Sequence, residues 1–244
     1  MNDRHNESSH PTERRGAPDP EQLLTALSTE HFTLQGARSQ TMSESAARAS
    51  VYVFAVSSAL VALGFIGQVS DVGDVFHVFA LTVLPTLYLL GSVTYVRLVE
   101  CGAEDFRYGL AINRIRHYYK EIARSRADLF LLSGHDDGVG VFANMSLPAE
   151  GRKPYFAFSS AILAINSVVG GAAVALALGE GLEAPLGLAA GLGAASAIVS
   201  VIAWIRHADR LLDASAAADE PLFPTPAGSG ADRPPTATGR AASG

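Results

Sequence analysis

The sequence predicts an all-α fold, an integral membrane protein with four membrane-spanning helices, cytoplasmic helical extensions and disordered termini. Four apolar runs contain no Asp, Glu, Lys or Arg, and each is close to the roughly 20 residues that a helix needs to cross about 30 Å of hydrocarbon. Because soluble helices carry a charged face, these runs argue against a soluble helical core. The predicted spans are residues 51–69, 75–96, 155–178 and 185–205.

The 18 Lys and Arg residues all lie outside these runs and outside the links 70–74 and 179–184. Cations at the membrane boundary are retained in the cytoplasm, whereas carboxylates count for little. Cations flank the same end of every span, and they are Arg48, Arg97, Arg152, Lys153 and Arg206. We therefore predict a multi-pass protein of the cell membrane with both termini in the cytoplasm.

Composition narrows the classes of partner. The net charge is −6, and no basic face suggests nucleic acid as a partner. The lipid bilayer is the first predicted partner, because the four apolar runs require it. The single cysteine, Cys101, excludes an intramolecular disulfide. The first apolar run follows fifty polar residues and is too long for a signal peptide, which predicts an uncleaved anchor.

The polar N-terminal region divides at Asp19. Residues 1–18 are rich in Asn, Ser, Arg and Pro, a composition that predicts disorder. Asp19 is a candidate N-cap, followed by Pro20 at the first helical position. We predict a cytoplasmic helix over residues 19–50 that continues into the first span.

The cytoplasmic segment 97–154 continues the second span as a helix and then becomes a loop. Its apolar residues follow the spacing of a coiled coil, which predicts an interaction seam for a second copy or a protein partner. The seam residues are Tyr108, Ile112, Ile115, Tyr119 and Ile122. The aromatic and basic residues around them also allow a second interpretation, an anionic ligand or inner-leaflet lipid.

The loop of this segment contains His135, Asp136 and Asp137. We interpret these residues as a solvated turn; the alternatives are a metal site and a polar contact with a cytoplasmic helix or a partner. The following residues, 139–154, are predicted to be irregular. Residues 213–244 are rich in Ala, Pro, Gly and Ser, which predicts a disordered cytoplasmic tail.

Small residues recur every four positions in the last two spans. They are Gly171 and Ala175 in the third span, and Gly187, Gly191 and Ala195 in the fourth. Such stripes let helix backbones approach closely, so we predict helix packing through them. The short link favours pairing within the chain, and pairing between chains stays open. In the third span Asn166 is predicted to form an interhelical hydrogen bond, with a substrate contact as the alternative.

Three strings carry a family resemblance: EHFTLQGAR at residues 30–38, AINRIRHYY at 111–119 and SGHDD at 133–137. They resemble a group of uncharacterised integral membrane proteins from high-GC actinobacteria, over about residues 22–212. The 16 Arg against two Lys suit such a genome. The resemblance implies a membrane protein and brings no activity, cofactor or catalytic residue. The architecture is also loosely similar to small multi-span effectors of bacterial defence systems.

The sequence contains no catalytic motif or cofactor signature, so we predict a protein that is not an enzyme and has no cofactor. The leading hypothesis is a membrane protein that assembles through its spans and its seam and presents a cytoplasmic helical stalk to a protein partner. The alternative is a pore-forming or permeability-altering effector, suggested by hydroxyl side chains in the spans. An enzyme that uses the His135 loop is the third hypothesis.

Overall fold

A computed structural model describes residues 19–70, 72–145, 156–217 and 220–227, and all regular structure within these ranges is helical. The predicted disordered residues 1–18 therefore lie outside the described part of the chain. The elements are α1 (Pro20–Val69), α2 (Asp74–Ala123), a 3-10 helix (Arg124–Leu129), α3 (Gly138–Asn144), α4 (Phe156–Gly181) and α5 (Leu186–Ala217).

Four of the helical stretches are long and apolar enough to cross a membrane, as the sequence predicts. They are Pro20–Val69, Asp74–Leu129, Ser159–Gly181 and Leu186–Asp213. Three of them also extend well past their apolar run. The molecule therefore has an apolar half, formed by residues 51–96 and 156–205, and a polar half, formed by the remaining described residues.

Helix α1 begins where the sequence predicts. Asp19 is the N-cap, and its side chain accepts a hydrogen bond from the Glu21 N–H at 3.2 Å. Pro20 occupies the first helical position, where its missing N–H costs no hydrogen bond. The helix continues for 50 residues to Val69, which corresponds to about 75 Å at roughly 1.5 Å per residue.

The chain forms two antiparallel helical pairs, α1 with α2 and α4 with α5, and α2 packs against α4 to join them. The shared core is aliphatic and aromatic, and Tyr95 meets Trp204 of α5 edge to face with ring centroids 5.6 Å apart. The core also includes Tyr52, Val56, Leu84, Leu87, Ile162 and Leu163. Helix α2 is thus the central element, because it contacts α1 of its own pair and also α4 and α5 of the other pair.

Beyond α2 the chain reverses direction at Arg124, which has a positive φ of 48°. The 3-10 helix and an extended segment then lead back along α2 to α3. Residues 138–144 are helical, which corrects the prediction of an irregular link for residues 139–144, whereas residues 146–154 lie outside the described part of the chain. The cause is Asp137, whose carboxylate caps the N-terminus of α3.

The C-terminal region also differs from its prediction. Helix α5 continues to Ala217, and residues 220–227 lie against the loop that contains His135. The prediction of disorder over 213–244 is therefore wrong for residues 213–217 and 220–227. Composition predicts how little apolar surface a segment can bury, and it does not register hydrogen bonds to a distant loop.

Candidate functional site

The loop of residues 133–137 packs directly on α2, and we call it the acidic loop. A methyl group at Gly134 would lie 3.1 Å from the Cα of His117, so only glycine fits there without displacing the backbone of α2. Asn113 is 2% exposed and donates through Nδ2 to the His135 carbonyl oxygen at 2.8 Å. The loop therefore has a fixed position on the helix.

Two side-chain amides, of the buried Asn113 and the half-buried Asn144, hold the other side of the acidic loop. Asn113 Oδ1 accepts hydrogen bonds from Arg116 Nη1 at 2.6 Å and from Asn144 Nδ2 at 2.8 Å. Asn144 Oδ1 in turn accepts the Ser133 N–H at 2.6 Å. Burial lowers the pKa of Arg116, and the positive charge of Arg38 acts in the same direction. Helices α2 and α3 thus clamp the loop through one connected network.

Asp136 is the buried centre of the acidic loop. Its side chain is fully shielded from solvent and accepts a 2.6 Å hydrogen bond from Arg114 Nε. The same carboxylate accepts the backbone N–H groups of Leu222 at 3.0 Å and Phe223 at 2.6 Å. Burial raises the pKa of Asp136, but the hydrogen bonds from Phe223, Arg114 and Leu222 outweigh it, so the pKa is lowered overall.

Asp137 binds the next part of the C-terminal segment and caps α3 at the same time. Its Oδ1 accepts the Gly140 N–H at 2.7 Å and the Thr225 hydroxyl at 2.9 Å. Its Oδ2 accepts the Thr225 N–H at 2.6 Å. One side chain therefore ties the start of a helix to a residue 88 positions further along the chain.

Two histidines surround Phe223. The imidazole of His117 stacks on its ring, with centroids 3.8 Å apart and planes 11° apart. Nδ1 of His135 lies 3.3 Å from the Phe223 carbonyl oxygen, which also accepts the Asp136 N–H at 3.3 Å. The N–H, the carbonyl group and the ring of Phe223 are all in contact with the site.

These contacts correct the interpretation of the acidic loop as a solvated turn, because Asp136 is 2% exposed. The alternative of a polar contact with a helix is what the structure shows, through Arg114 of α2; the cytoplasmic side of that helix stays a prediction. All four carboxylate oxygens of Asp136 and Asp137 accept hydrogen bonds. Among the described residues, no three His, Cys, Asp or Glu side chains are grouped closely enough to hold a metal ion.

Sequence reasoning missed the partners of the loop, which are Arg114, His117, Leu222, Phe223 and Thr225. The available signal is the recurrence of proline at positions 221, 224 and 226. That pattern is typical of extended peptide ligands as well as of disordered tails.

The predicted seam lies mostly inside the molecule. Ile112 and Ile115 are 4% and 7% exposed. Tyr119 is on the same face of α2, its hydroxyl donates to the Ser28 hydroxyl of α1 at 3.4 Å, and its ring lies 6.0 Å from that of His31. The seam therefore packs against the chain's own α1. Of its other members, Tyr108 is half-buried and Ile122 is 50% exposed.

Helices α4 and α5 pack through only part of the predicted stripes. A Cβ atom on Gly193 would lie 2.6 Å from the Gly171 carbonyl oxygen and 2.7 Å from the Ala175 methyl group. Gly171 and Ala175 thus meet α5 at Gly193, a residue outside the predicted stripe. The stripe itself, Gly187, Gly191 and Ala195, is exposed on the surface of α5.

Asn166 joins three helices within the apolar half, as the prediction of an interhelical hydrogen bond requires. Its Oδ1 accepts the Tyr52 hydroxyl of α1 at 3.0 Å, and its Nδ2 donates to the Ser92 hydroxyl of α2 at 3.1 Å. Both polar ends of the amide are therefore paired, which satisfies it in an apolar environment.

No protein family, curated protein or solved structure matches this chain. The resemblance to actinobacterial membrane proteins stays a prediction. The fold and the site together define an all-helical protein with four helices able to cross a membrane and a polar half that binds its own C-terminal segment.

Proposed function

We propose that the protein is a non-enzymatic, multi-pass protein of the cell membrane whose cytoplasmic helical stalk contacts a protein partner. The stalk consists of α1 up to residue 50, α2 from Arg97, and the 3-10 helix. Support for the orientation comes from the cations at the inner ends of the spans. Support for the function comes from the surface at the far end of the stalk.

A cluster of exposed apolar side chains lies at that end, and we call it the apolar tip. Leu129 is 80% exposed, Leu131 is 95% exposed and Ile122 of the predicted seam is 50% exposed. Leu24 of α1, 42% exposed, lies at the level of Ile122, because α1 and α2 are antiparallel and Tyr119 contacts Ser28. Clustered exposed apolar residues mark protein or membrane contacts, and this cluster is the observation that carries the proposal.

The distance from the membrane separates these two possibilities. From Arg97 at the predicted boundary to Ala123 at the end of α2, the helix extends about 40 Å at roughly 1.5 Å per residue. An apolar group so far from the hydrocarbon region gains nothing from lipid. We therefore assign the apolar tip to a protein partner.

Ion pairs make the stalk a rigid support for its tip. Arg38 of α1 binds Asp105 of α2 with two hydrogen bonds, at 2.7 and 3.1 Å. Nearer the membrane Arg97 binds Glu44 of α1 at 2.9 Å and 3.2 Å. Hydrogen bonds from Arg97 and Arg48 lower the pKa of Glu44 to about 2, so this carboxylate is charged at physiological pH.

Self-assembly through the spans is the second part of the proposal. Gly187, Gly191 and Ala195 form a strip of small residues on the exposed side of α5, where a second copy could approach closely in lipid. The pore alternative has less support from side-chain geometry. The hydroxyls of Thr82 and Thr86 donate to backbone carbonyls of their own helix, each at 2.8 Å, so they are satisfied without a water-filled channel.

Site-specific photocrosslinking in native membranes tests the partner contact. A photoreactive amino acid at Leu131 is expected to give a discrete adduct with a protein, and Leu129→Glu is expected to abolish it by placing a charge in the interface. The matched control is the same probe at Gln40, an exposed polar position of the stalk away from the tip. Equal adducts from both positions, or none from Leu131, would contradict the proposal.

A further inference from the structure

The C-terminal segment bound to the acidic loop has a distinctive pattern of backbone donors. Residues Pro221–Pro226 read Pro-Leu-Phe-Pro-Thr-Pro, and the three prolines have no N–H group. The three remaining N–H groups, of Leu222, Phe223 and Thr225, all donate to carboxylate oxygens of Asp136 or Asp137. The two aspartates therefore accept every backbone donor that the six residues possess.

This match defines the register of the segment. A shift by one residue in either direction would put a proline nitrogen where a carboxylate oxygen needs a donor, and a buried carboxylate without donors is costly. The side chains add further selectivity. The Phe223 ring stacks on His117 at 3.8 Å, and the Thr225 hydroxyl donates to Asp137 at 2.9 Å. The site is therefore selective for the order of the residues in the segment as well as for an extended backbone.

The contacts that hold the acidic loop in place do not involve the C-terminal segment. Asn113, Asn144 and Arg116 hold the acidic loop through contacts within α2, α3 and the loop itself. The segment follows the end of α5 after residues 218 and 219 only. Its prolines restrict the unbound backbone, which reduces the entropy lost on binding. These are the properties of a short peptide ligand in a preformed site.

We propose that the acidic loop, with Arg114 and His117, is a recognition site for extended peptides of the Pro-Leu-Phe-Pro-Thr-Pro type. The chain's own tail occupies this site, and the same motif on a partner protein binds there when it displaces the tail. This site is separate from the apolar tip. A tethered segment has an effective concentration of about millimolar, so the tail competes strongly with any free peptide. Weakening the tail must therefore strengthen binding of a peptide in trans.

Fluorescence anisotropy on the purified full-length protein tests this competition, with a labelled peptide of residues 220–227 as the probe. We compare the wild type with a tail-weakened variant that carries Phe223→Ala and Thr225→Ala. The variant is expected to bind the peptide at least about ten-fold more tightly than the wild type, because the cis competitor has lost its ring stack and one hydrogen bond.

The decisive control is made in the peptide, so that no folding defect of the protein can produce the result. N-methylation of the peptide's Phe223 equivalent removes one N–H and keeps every side chain. It is expected to weaken binding to the tail-weakened variant at least about ten-fold, as the loss of a hydrogen bond to a buried charge requires. Absence of peptide binding to that variant, or equal binding of the methylated and unmethylated peptides, would overturn the proposal.

Discussion

The apolar and polar halves of the molecule are held together by different kinds of contact. In the apolar half, α4 and α5 meet where Gly171 and Gly193 leave no room for side chains, and one amide, Asn166, links three helices. In the polar half, charged groups such as Arg38 and Asp136 make short hydrogen bonds to distant residues. Shape specifies the first half, and the placement of donors and acceptors specifies the second.

The reason for the contrast is the difference in solvent. Lipid tails are as apolar as the helices, so close packing has to select the helix faces that meet. In water, apolar burial drives association regardless of detail, and unpaired polar groups penalise wrong arrangements. Substitutions that change volume should therefore affect the apolar half most, and substitutions that remove an acceptor should affect the polar half most.

The largest effect is expected for Gly193→Leu, because its Cβ would lie 2.6 Å from the Gly171 carbonyl oxygen. Backbone has to move, and we expect a loss of at least about 3 kcal/mol in the free energy of unfolding. Thermal unfolding in detergent measures it. Gly64→Leu in the span of α1 is the matched control, since nothing lies within 4 Å of its Cβ position and it is outside the proposed assembly strip, and an equal loss there would show that the effect does not come from the α4–α5 contact.

Asp136→Ala should have the next largest effect, confined to the polar half. It removes the carboxylate that accepts from Arg114 Nε and from the N–H groups of Leu222 and Phe223. Because the Arg114 side chain is 40% exposed and water can replace its acceptor, we expect docking of the C-terminal segment to be less favourable by about 2 kcal/mol. Faster hydrogen exchange at the amides of Leu222, Phe223 and Thr225 is the readout. The exposed Asp128 provides a control substitution to Ala, and unchanged exchange in Asp136→Ala would show that the segment is held by other contacts.

A smaller effect is expected when a polar group is removed from the apolar half. Tyr52→Phe deletes the 3.0 Å hydrogen bond to Asn166 and keeps the ring. Interhelical hydrogen bonds in membranes contribute about 0.6 to 1.7 kcal/mol, so we expect a loss of about 1 kcal/mol. A double-mutant cycle with Asn166→Ala should return a coupling energy of that size, and zero coupling would mean that the two side chains do not interact.

The smallest effect concerns pH. The pKa of Asp136 is lowered from its ordinary value of 3.8, so its charged form is stabilised in the docked state. This contribution is fully present above pH 3.8 and is lost as the pH falls through the lowered value. Energy transfer between dyes at Leu131 and Ala227 should report release of the segment only in that acidic range. Release near pH 6 that depends on Asp136 would mean that docking raises the pKa of this carboxyl group, and it would contradict the prediction.

Sequence reasoning performed differently in the two halves for the same physical reason. A span is a local property of about 20 consecutive residues, so the four apolar helices and the Asp19 cap were predictable. The faces that meet were not predictable, since the span of α5 has no charged side to mark its exposed face, and Gly193 contacts α4 in place of Gly187 and Gly191.

The acidic loop shows the corresponding limit in the polar half. Asp137 and Thr225 are 88 residues apart, and no periodicity connects them. The residues of the loop could be chosen from the sequence as a polar cluster, but their partners depend on how α5 directs the tail. The spacing of Ile112 and Ile115 predicted a coiled-coil seam for a second chain. Both residues are buried and α2 packs against α1 of the same chain, a difference that spacing alone cannot register.

The proposed cytoplasmic location of the stalk can be measured directly by cysteine labelling. We would replace the single native cysteine by Cys101→Ser and introduce Leu131→Cys at the apolar tip or Val72→Cys in the α1–α2 link. With a membrane-impermeant maleimide on intact cells, we expect labelling at position 72 only, and labelling at position 131 after permeabilisation. Labelling of position 131 in intact cells would contradict the cytoplasmic location.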